Sequence, residues 1–271
     1  MKPKPFKLAL LQMQVKGGDR QWNICHAVEL IAEAASKGAE VVLLPECMDL
    51  GWIHPSSLKM ADNIPGGKAC KTLTQTAKQN EVYICAGLTE KSGEKIFNSA
   101  VIIDKHGNIL CKHRKLNELE IGHDYYDQGN RLNVVKTEYG VFGLMICADA
   151  LAKDNVLSRS LGYMGADIIL SPSSWAVSSN YDNVKTPYGD IWRHAYMPVA
   201  KEFSTAIFGV SNVGRIVDGP WKGMKCIGCS LGLDASGQEI LQGPYGIDAE
   251  CILYVDIKPN LRTASDLRNC V

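Results

Sequence analysis

Apolar and polar residues are arranged along the chain in two kinds of block. Short aliphatic and β-branched runs closed by Gly, Pro, Asn or Asp read as buried strands. Longer stretches with apolar positions three and four apart read as helices. The first run, residues 7–15, is followed by a Gly17-Gly18-Asp19 break. From Gln21 the apolar set Ile24, Ala27, Val28, Ile31, Ala34 and Ala35 falls at helical spacing, and Gly38 is placed to end that helix. VVLLPE (41–46) is a strand whose Pro45 marks its margin, because proline cannot donate to an interior ladder. A helix over 68–79 precedes strands over 82–90 and 98–104, and KHGN at 105–108 turns the chain back into ILCKHRKL.

A charged loop from Asn117 leads through a strand at 132–135 into VFGLMICADAL, 141–151. The apolar half of that stretch reads as a strand buried on both faces, stopping at Cys147. A helix over 155–164 follows, closed by Gly165, and then a strand over 166–175. The next helix covers about 188–202, and Pro198 is expected to kink it or mark a boundary. A strand at 206–214, a pair of strands across Ala235-Ser236-Gly237 and a last strand at Cys251–Ile257 complete the pattern. No repeat, low-complexity segment or linker divides it. Many strands interleaved with few helices predict an α/β (α+β) fold, two sheets with helices outside, as a single domain over 1–271.

Composition narrows the function classes. Lys plus Arg balances Asp plus Glu at 29 each, so no net field draws the protein to nucleic acid or an anionic membrane. No run approaches the roughly 18 apolar residues of a membrane span. The basic start, MKPKPFKLALLQMQV, reads as a first strand and not a signal peptide. Ten cysteines without a secretory signal suggest free thiols in a reducing compartment, and a cytoplasmic protein is expected.

Three functional groups stand at strand ends: Glu46, Lys115 and Cys147. The carboxyl end of a buried strand is where open α/β sheets keep their ligands. A following helix whose dipole favours thiolate is expected to activate Cys147. Each residue alone has a plainer reading: a loop carboxylate, a solvated edge lysine, a small buried thiol.

Together with their neighbours they carry more. LLPE at Glu46, HRK at Lys115 and GLMICAD around Cys147 resemble the nitrilase superfamily of carbon–nitrogen hydrolases. The resemblance continues through Arg159, GAD at 165–167, SPSSW ending at Trp175, VSNVG at 210–214 and the DASGQEIL hairpin, covering essentially the whole chain. It implies a four-layer αββα sandwich, a Glu46-Lys115-Cys147 triad and no cofactor. It also implies association into a homodimer or higher homo-oligomer near the helix after Cys147, and a small linear amide or N-carbamoyl substrate. In that chemistry the Cys147 thiolate attacks a carbonyl carbon and Glu46 is the general base. Lys115 and the Ala148 N–H hold the oxyanion, and a thioester is hydrolysed in a second step.

The chain departs from the family pattern at one place. Many members carry a second glutamate a few residues before an aromatic pair and a glycine. Here that register, ahead of Tyr125, Tyr126 and Gly129, holds Gly122, His123 and Asp124. Glu118 and Glu120 lie slightly earlier, and either is a candidate partner for Lys115. Asp149 and Arg159 are expected to tie the nucleophile turn to its helix. His123 and Trp175 are candidate substrate contacts, Trp175 being equally readable as a core aromatic. Cys47 reads as a packed thiol. Cys226-x-x-Cys229 lacks a second pair or spaced histidines, so no metal site is expected. The glycines at 214–228 form no nucleotide-binding unit.

Three alternatives remain in view: a catalytically silent binding or scaffold member, a nitrilase acting on a nitrile, and a papain-like protease. The last needs a histidine base that the motifs do not provide. Nitrilases resemble one another in carrying Trp-Glu after the nucleophile, whereas this chain reads Cys-Ala-Asp, closer to the amidase and carbamoylase branches. The loops expected around the pocket (51–66, 118–130, 175–190 and 215–226) carry no obvious anion clamp.

Overall fold

In the computed structural model, residues 3–259 are described. The chain runs β1 (Phe6–Gln12), α1 (Arg20–Ser36), β2 (Val41–Leu43), a one-turn helix α2 (Ser57–Met60), α3 (Lys68–Asn80), β3 (Tyr83–Ser92), β4 (Lys95–Ile103) and β5 (Ile109–Arg114). It continues through β6 (Val134–Thr137), β7 (Gly140–Leu144), α4 (Val156–Tyr163), β8 (Ile168–Ser173), β9 (Ala176–Val177) and α5 (Gly189–Phe203). The last strands are β10 (Ala206–Ser211), β11 (Val213–Arg215), β12 (Lys225–Ile227), β13 (Leu231–Leu233), β14 (Glu239–Gln242) and β15 (Cys251–Ile257).

Two six-stranded sheets result, ordered β15-β1-β2-β3-β4-β5 and β14-β13-β10-β8-β7-β6. Each has a parallel centre, β1-β2-β3 in one and β10-β8-β7 in the other, flanked by antiparallel strands. Strand periodicity sets the layers. Along β1, Leu8 and Leu10 join Leu43, Cys85 and Ile102 against Phe142, Leu144 and Leu170 of the other sheet. The intervening Ala9 and Leu11 join Val42, Ile84 and Val101 against Ile24, Ala27 and Ile31 of α1 and Leu73 and Ala77 of α3. On the far side α5 lays Trp192, Tyr196, Val199 and Phe203 on the second sheet. Helices, sheet, sheet, helices is the four-layer order. Full burial of each such aliphatic side chain is worth about 1.5–3 kcal/mol, so both sheet faces contribute to stability.

Local chemistry fixes the boundaries. Asp19 caps α1 by accepting from Trp22 N at 3.0 Å, and Gly38 takes the left-handed turn beyond it at φ +84°. β1 stops at Gln12, short of the expected Val15, because the buried Gln12 amide is used crosswise. It donates to Pro244 O and Ala249 O and accepts from Ser230 N and Oγ. Pro198 does not end α5, which runs through it to Phe203. The apolar face on either side of Pro198 keeps the helix seated on the sheet.

Candidate active site

The carboxyl ends of β2, β7 and β8 meet at one place. Pro45 and Glu46 lie across β3 at Gly87, where an added Cβ would come within 2.5 Å of Glu46 Cα. Gly87 N donates to Pro45 O, and Glu46 N donates to Ser173 O at the end of β8. Lys115 follows β5 and is held by its N–H on Asn98 O at 2.8 Å. Cys147 follows β7 in the left-handed region, φ +44°. A non-glycine residue pays about 1–3 kcal/mol for such a conformation, and it persists only where neighbours enforce it. Asp149 enforces it: its carboxylate accepts from Ile146 N, and its own N–H bonds Ile146 O.

The side chains form one buried cluster. Lys115 Nζ donates to Glu46 Oε1 at 2.7 Å and to Glu118 Oε1 at 2.9 Å. Asn98 Nδ2 donates to Glu46 Oε1 at 2.6 Å and to Glu118 Oε2 at 3.0 Å. Trp52 Nε1 donates to Glu118 Oε1, and the Trp52 ring lies 5.4 Å from the ammonium. Glu46 is 1 % exposed, Lys115 2 % and Cys147 8 %, so water screens these charges little.

Their protonation follows from that burial. Desolvation pushes the Glu46 carboxyl above its ordinary range, with Lys115 pulling it down and the nearby Glu118 carboxylate pushing it up. Burial alone would discharge Lys115, but Glu46 and Glu118 outweigh it and hold the ammonium well above its usual pKa. The Cys147 thiol is also pushed up, first by burial and then by Glu46, against Lys115 and a hydrogen bond from the Ser174 backbone N–H. This corrects the expectation of a dipole-stabilised thiolate. Cys147 opens a single 3₁₀ turn, Cys147–Leu151, and α4 begins only at Val156 after Asp154 and Asn155 in left-handed conformations. Burial and the neighbouring Glu46 therefore favour the thiol over the thiolate at Cys147. The Ala148 N–H lies in the first turn of that 3₁₀ segment, where amides lack an intrahelical acceptor.

The sequence model of the family described as carbon-nitrogen hydrolase matches residues 7–264. The chain belongs to the carbon–nitrogen hydrolase family. It is similar to a nitrilase of Pyrococcus abyssi, 30 % identical over 83 % of this chain and 80 % of that protein. It is 29 % identical to an omega-amidase of Bos taurus, over 64 % of this chain and 65 % of the relative, just under two thirds of its length. A carbon–nitrogen hydrolase from Helicobacter pylori G27 shares the fold, with a TM-score of 0.83 at 23 % identity over 98 % of this chain and 91 % of that one. The enzyme class is therefore a C–N hydrolase of the amidase-like kind.

Within this carbon–nitrogen hydrolase the other candidate residues separate. Glu118 reaches Lys115, whereas Glu120 is exposed on the 3₁₀ turn Glu120–Asp124. Gly122 shows why Glu118 fits: a Cβ there would lie 2.5 Å from Glu118 Cγ and 2.7 Å from its Cδ. The Glu118 carboxylate fills the space that a side chain at 122 would need. Gly122→Ala is expected to displace Glu118, lowering kcat about tenfold or more with a stability loss of about 1–3 kcal/mol. Steady-state kinetics with a melting curve test this, and a wild-type kcat would contradict it.

His123 is exposed and borders a surface hollow of about 460 Å³ with Leu58, Glu94 and Asp124, whose lining excludes the triad residues. Trp175 is fully buried, its ring stacked 4.6 Å from Trp192 of α5, which is the core reading. Cys47 is a packed thiol 3.4 Å from Asn98 Oδ1. Arg159 does not secure the turn at Cys147, because it pairs with Glu202 and joins α4 to α5. Asp149 does secure it, but to the lysine loop and not to the helix: Leu116 N and Asn117 N donate to its Oδ1. Sequence reasoning missed Asn98 and Trp52. An asparagine opening a strand run reads as a turn residue, and only its inward register beside Lys115 reveals a role.

Proposed function

We propose that this enzyme hydrolyses the C–N bond of a small linear amide or N-carbamoyl compound through a thioester on Cys147. The observation carrying this reading is one buried ammonium shared by two carboxylates beside a buried thiol. Glu46 accepts the Cys147 proton as sulfur bonds to the carbonyl carbon, and the carbonyl π pair moves to oxygen. Lys115 Nζ and the Ala148 N–H stabilise that oxyanion. Collapse breaks the C–N bond, and Glu46 returns its proton to the departing amine. Glu46 then deprotonates water for attack on the thioester, which releases the acid and the thiol. Glu118 and Asn98 hold Lys115 and Glu46 in register throughout, and no cofactor enters these steps.

An amide is favoured over a nitrile. Lys115 Nζ and the Ala148 N–H suit an oxygen anion, and Glu46, with its raised pKa, is suited to supply the proton the leaving amine needs. A nitrile gives a thioimidate nitrogen that must be protonated instead. The omega-amidase relative supports the amide, whereas the Pyrococcus abyssi relative is named a nitrilase. Kinetics on an amide and a nitrile of the same side chain decide between them. The amide is expected to show the higher kcat/KM, and the reverse order would overturn the assignment. Val156, Tyr163 and Met164, exposed on and just beyond α4, support self-association on that side. Among the described residues no helix is long and apolar enough to cross a membrane.

A further inference from the structure

His113 is the last-but-one residue of β5, and Lys115 follows the strand two positions later. Two residues on the nucleophile turn have the same offset, Cys147 and Asp149. The buried pair joins across them, His113 Nε2 to Asp149 Oδ2 at 2.7 Å, both side chains with no exposed surface. His113 Nδ1 faces Arg131 O at 3.2 Å. Both ring nitrogens thus lie within hydrogen-bond distance of an oxygen, which fixes the ring at both ends.

Asp149 is saturated with donors from both sides of the site. Ile146 N comes from the nucleophile turn, while Leu116 N, Asn117 N and the His113 ring come from the lysine segment. Asn117 Nδ2 donates back to Ala148 O at 2.6 Å. Buried polar and ionic pairs are a weak source of net stability, often replaceable by apolar residues without loss. What this one supplies is register.

We infer that the His113–Asp149 pair is a positioning strut that sets Lys115 and Glu118 relative to the Cys147 thiol. This rests on the reading of Cys147 as nucleophile and Lys115 as its charge partner. The two elements approach from different sheets, β5 of the first and β7 of the second, and no backbone ladder joins them. Misplacement of a reacting group by about 1 Å costs on the order of 100-fold in rate. A polar link of fixed length between the sheets keeps that alignment, and a softer contact would not.

The test uses iodoacetamide as the probe, so it needs no knowledge of the substrate. The alkylation rate of Cys147 is measured by peptide mass spectrometry in the wild type, His113→Gln and Asp149→Asn, with the exposed Cys25 as internal standard. Both variants are expected to slow Cys147 labelling about tenfold or more relative to Cys25. Asn117→Ala, which removes only the bond to Ala148 O, is expected to slow it in the same direction and serves if either variant fails to fold. Arg159→Ala breaks a helix–helix ion pair away from the site, and is expected to lower the melting temperature with Cys147 labelling unchanged. A merely structural role for the pair predicts faster labelling of a core thiol such as Cys85, with the Cys147 rate within twofold of wild type. That result overturns the inference alone. The nucleophile reading fails separately, by retained amide turnover in Cys147→Ala.

Discussion

Cys147→Ala is expected to abolish turnover, a loss of about 10⁶-fold where a covalent nucleophile is removed, while the chain still folds. The two halves of this expectation have separate causes. No other described side chain stands in the cluster of Glu46 and Lys115 with a nucleophilic atom held by the Ser174 N–H. The fold should tolerate the change, because alanine keeps the β-carbon and removes a single buried sulfur atom. The left-handed strain at φ +44° is the same for both residues, and Asp149 still holds the turn. The stability change should stay within about 1 kcal/mol. Amide turnover and thermal melting measured on the same preparation check both halves. Retained activity would remove Cys147 from the mechanism, and an unfolded chain would show that the thiol is structural.

Lys115→Met is the second large effect, and it acts on rate and stability together. Losing one oxyanion donor costs roughly 100- to 1000-fold in kcat. Losing the ammonium also leaves Glu46 and Glu118 facing each other in a buried site with Asn98 as their shared donor. Breaking a buried pair in this way costs about 3–5 kcal/mol. The pH dependence has a definite sign. Two carboxylates without their cation retain a proton that the unfolded chain releases, so the folded variant binds more protons above the ordinary glutamate range. Its stability deficit against wild type should therefore shrink as pH falls from 8 towards 5 and grow as pH rises. Urea unfolding at both pH values measures it, and Lys115→Met with Glu118→Gln should recover part of the loss. A deficit that does not change with pH would mean that the carboxylates are not coupled through Lys115.

The residues that carry the proposed chemistry were legible because each follows a strand whose end the apolar pattern marks. Glu46 stands after VVLLP, Lys115 after ILCKHR and Cys147 after VFGLMI. The choice between Glu118 and Glu120 was not legible. It turns on the missing side chain at Gly122, whose place Glu118 takes, and on a donor from Trp52, which no local pattern in the loop reveals. The state of the Cys147 thiol was misread for a related reason. A strand followed by a helical pattern suggests a dipole at the junction, but burial beside Glu46 depends on how the two sheets meet. Trp175 lies in the two-residue link between β8 and β9, so strand alternation could not decide core against pocket for it.

The pairing of β1 with β15, Phe6 opposite Ile257 and Gln12 opposite Cys251, has a consequence for synthesis. In a nascent chain β1 emerges long before β15, and its outer edge lacks that partner until β15 leaves the ribosome. The Gln12 amide likewise waits for Ser230, Pro244 and Ala249. Through Ser230 Oγ, which accepts from Ser211 N, and Ser211 Oγ, which accepts from Trp175 N, the delay extends to the strand end that holds Glu46. Closure over so long a separation is slow and leaves an apolar edge open in the meantime. A ribosome-stalled chain ending before Cys251 should therefore be a client of chaperones and not yet an enzyme.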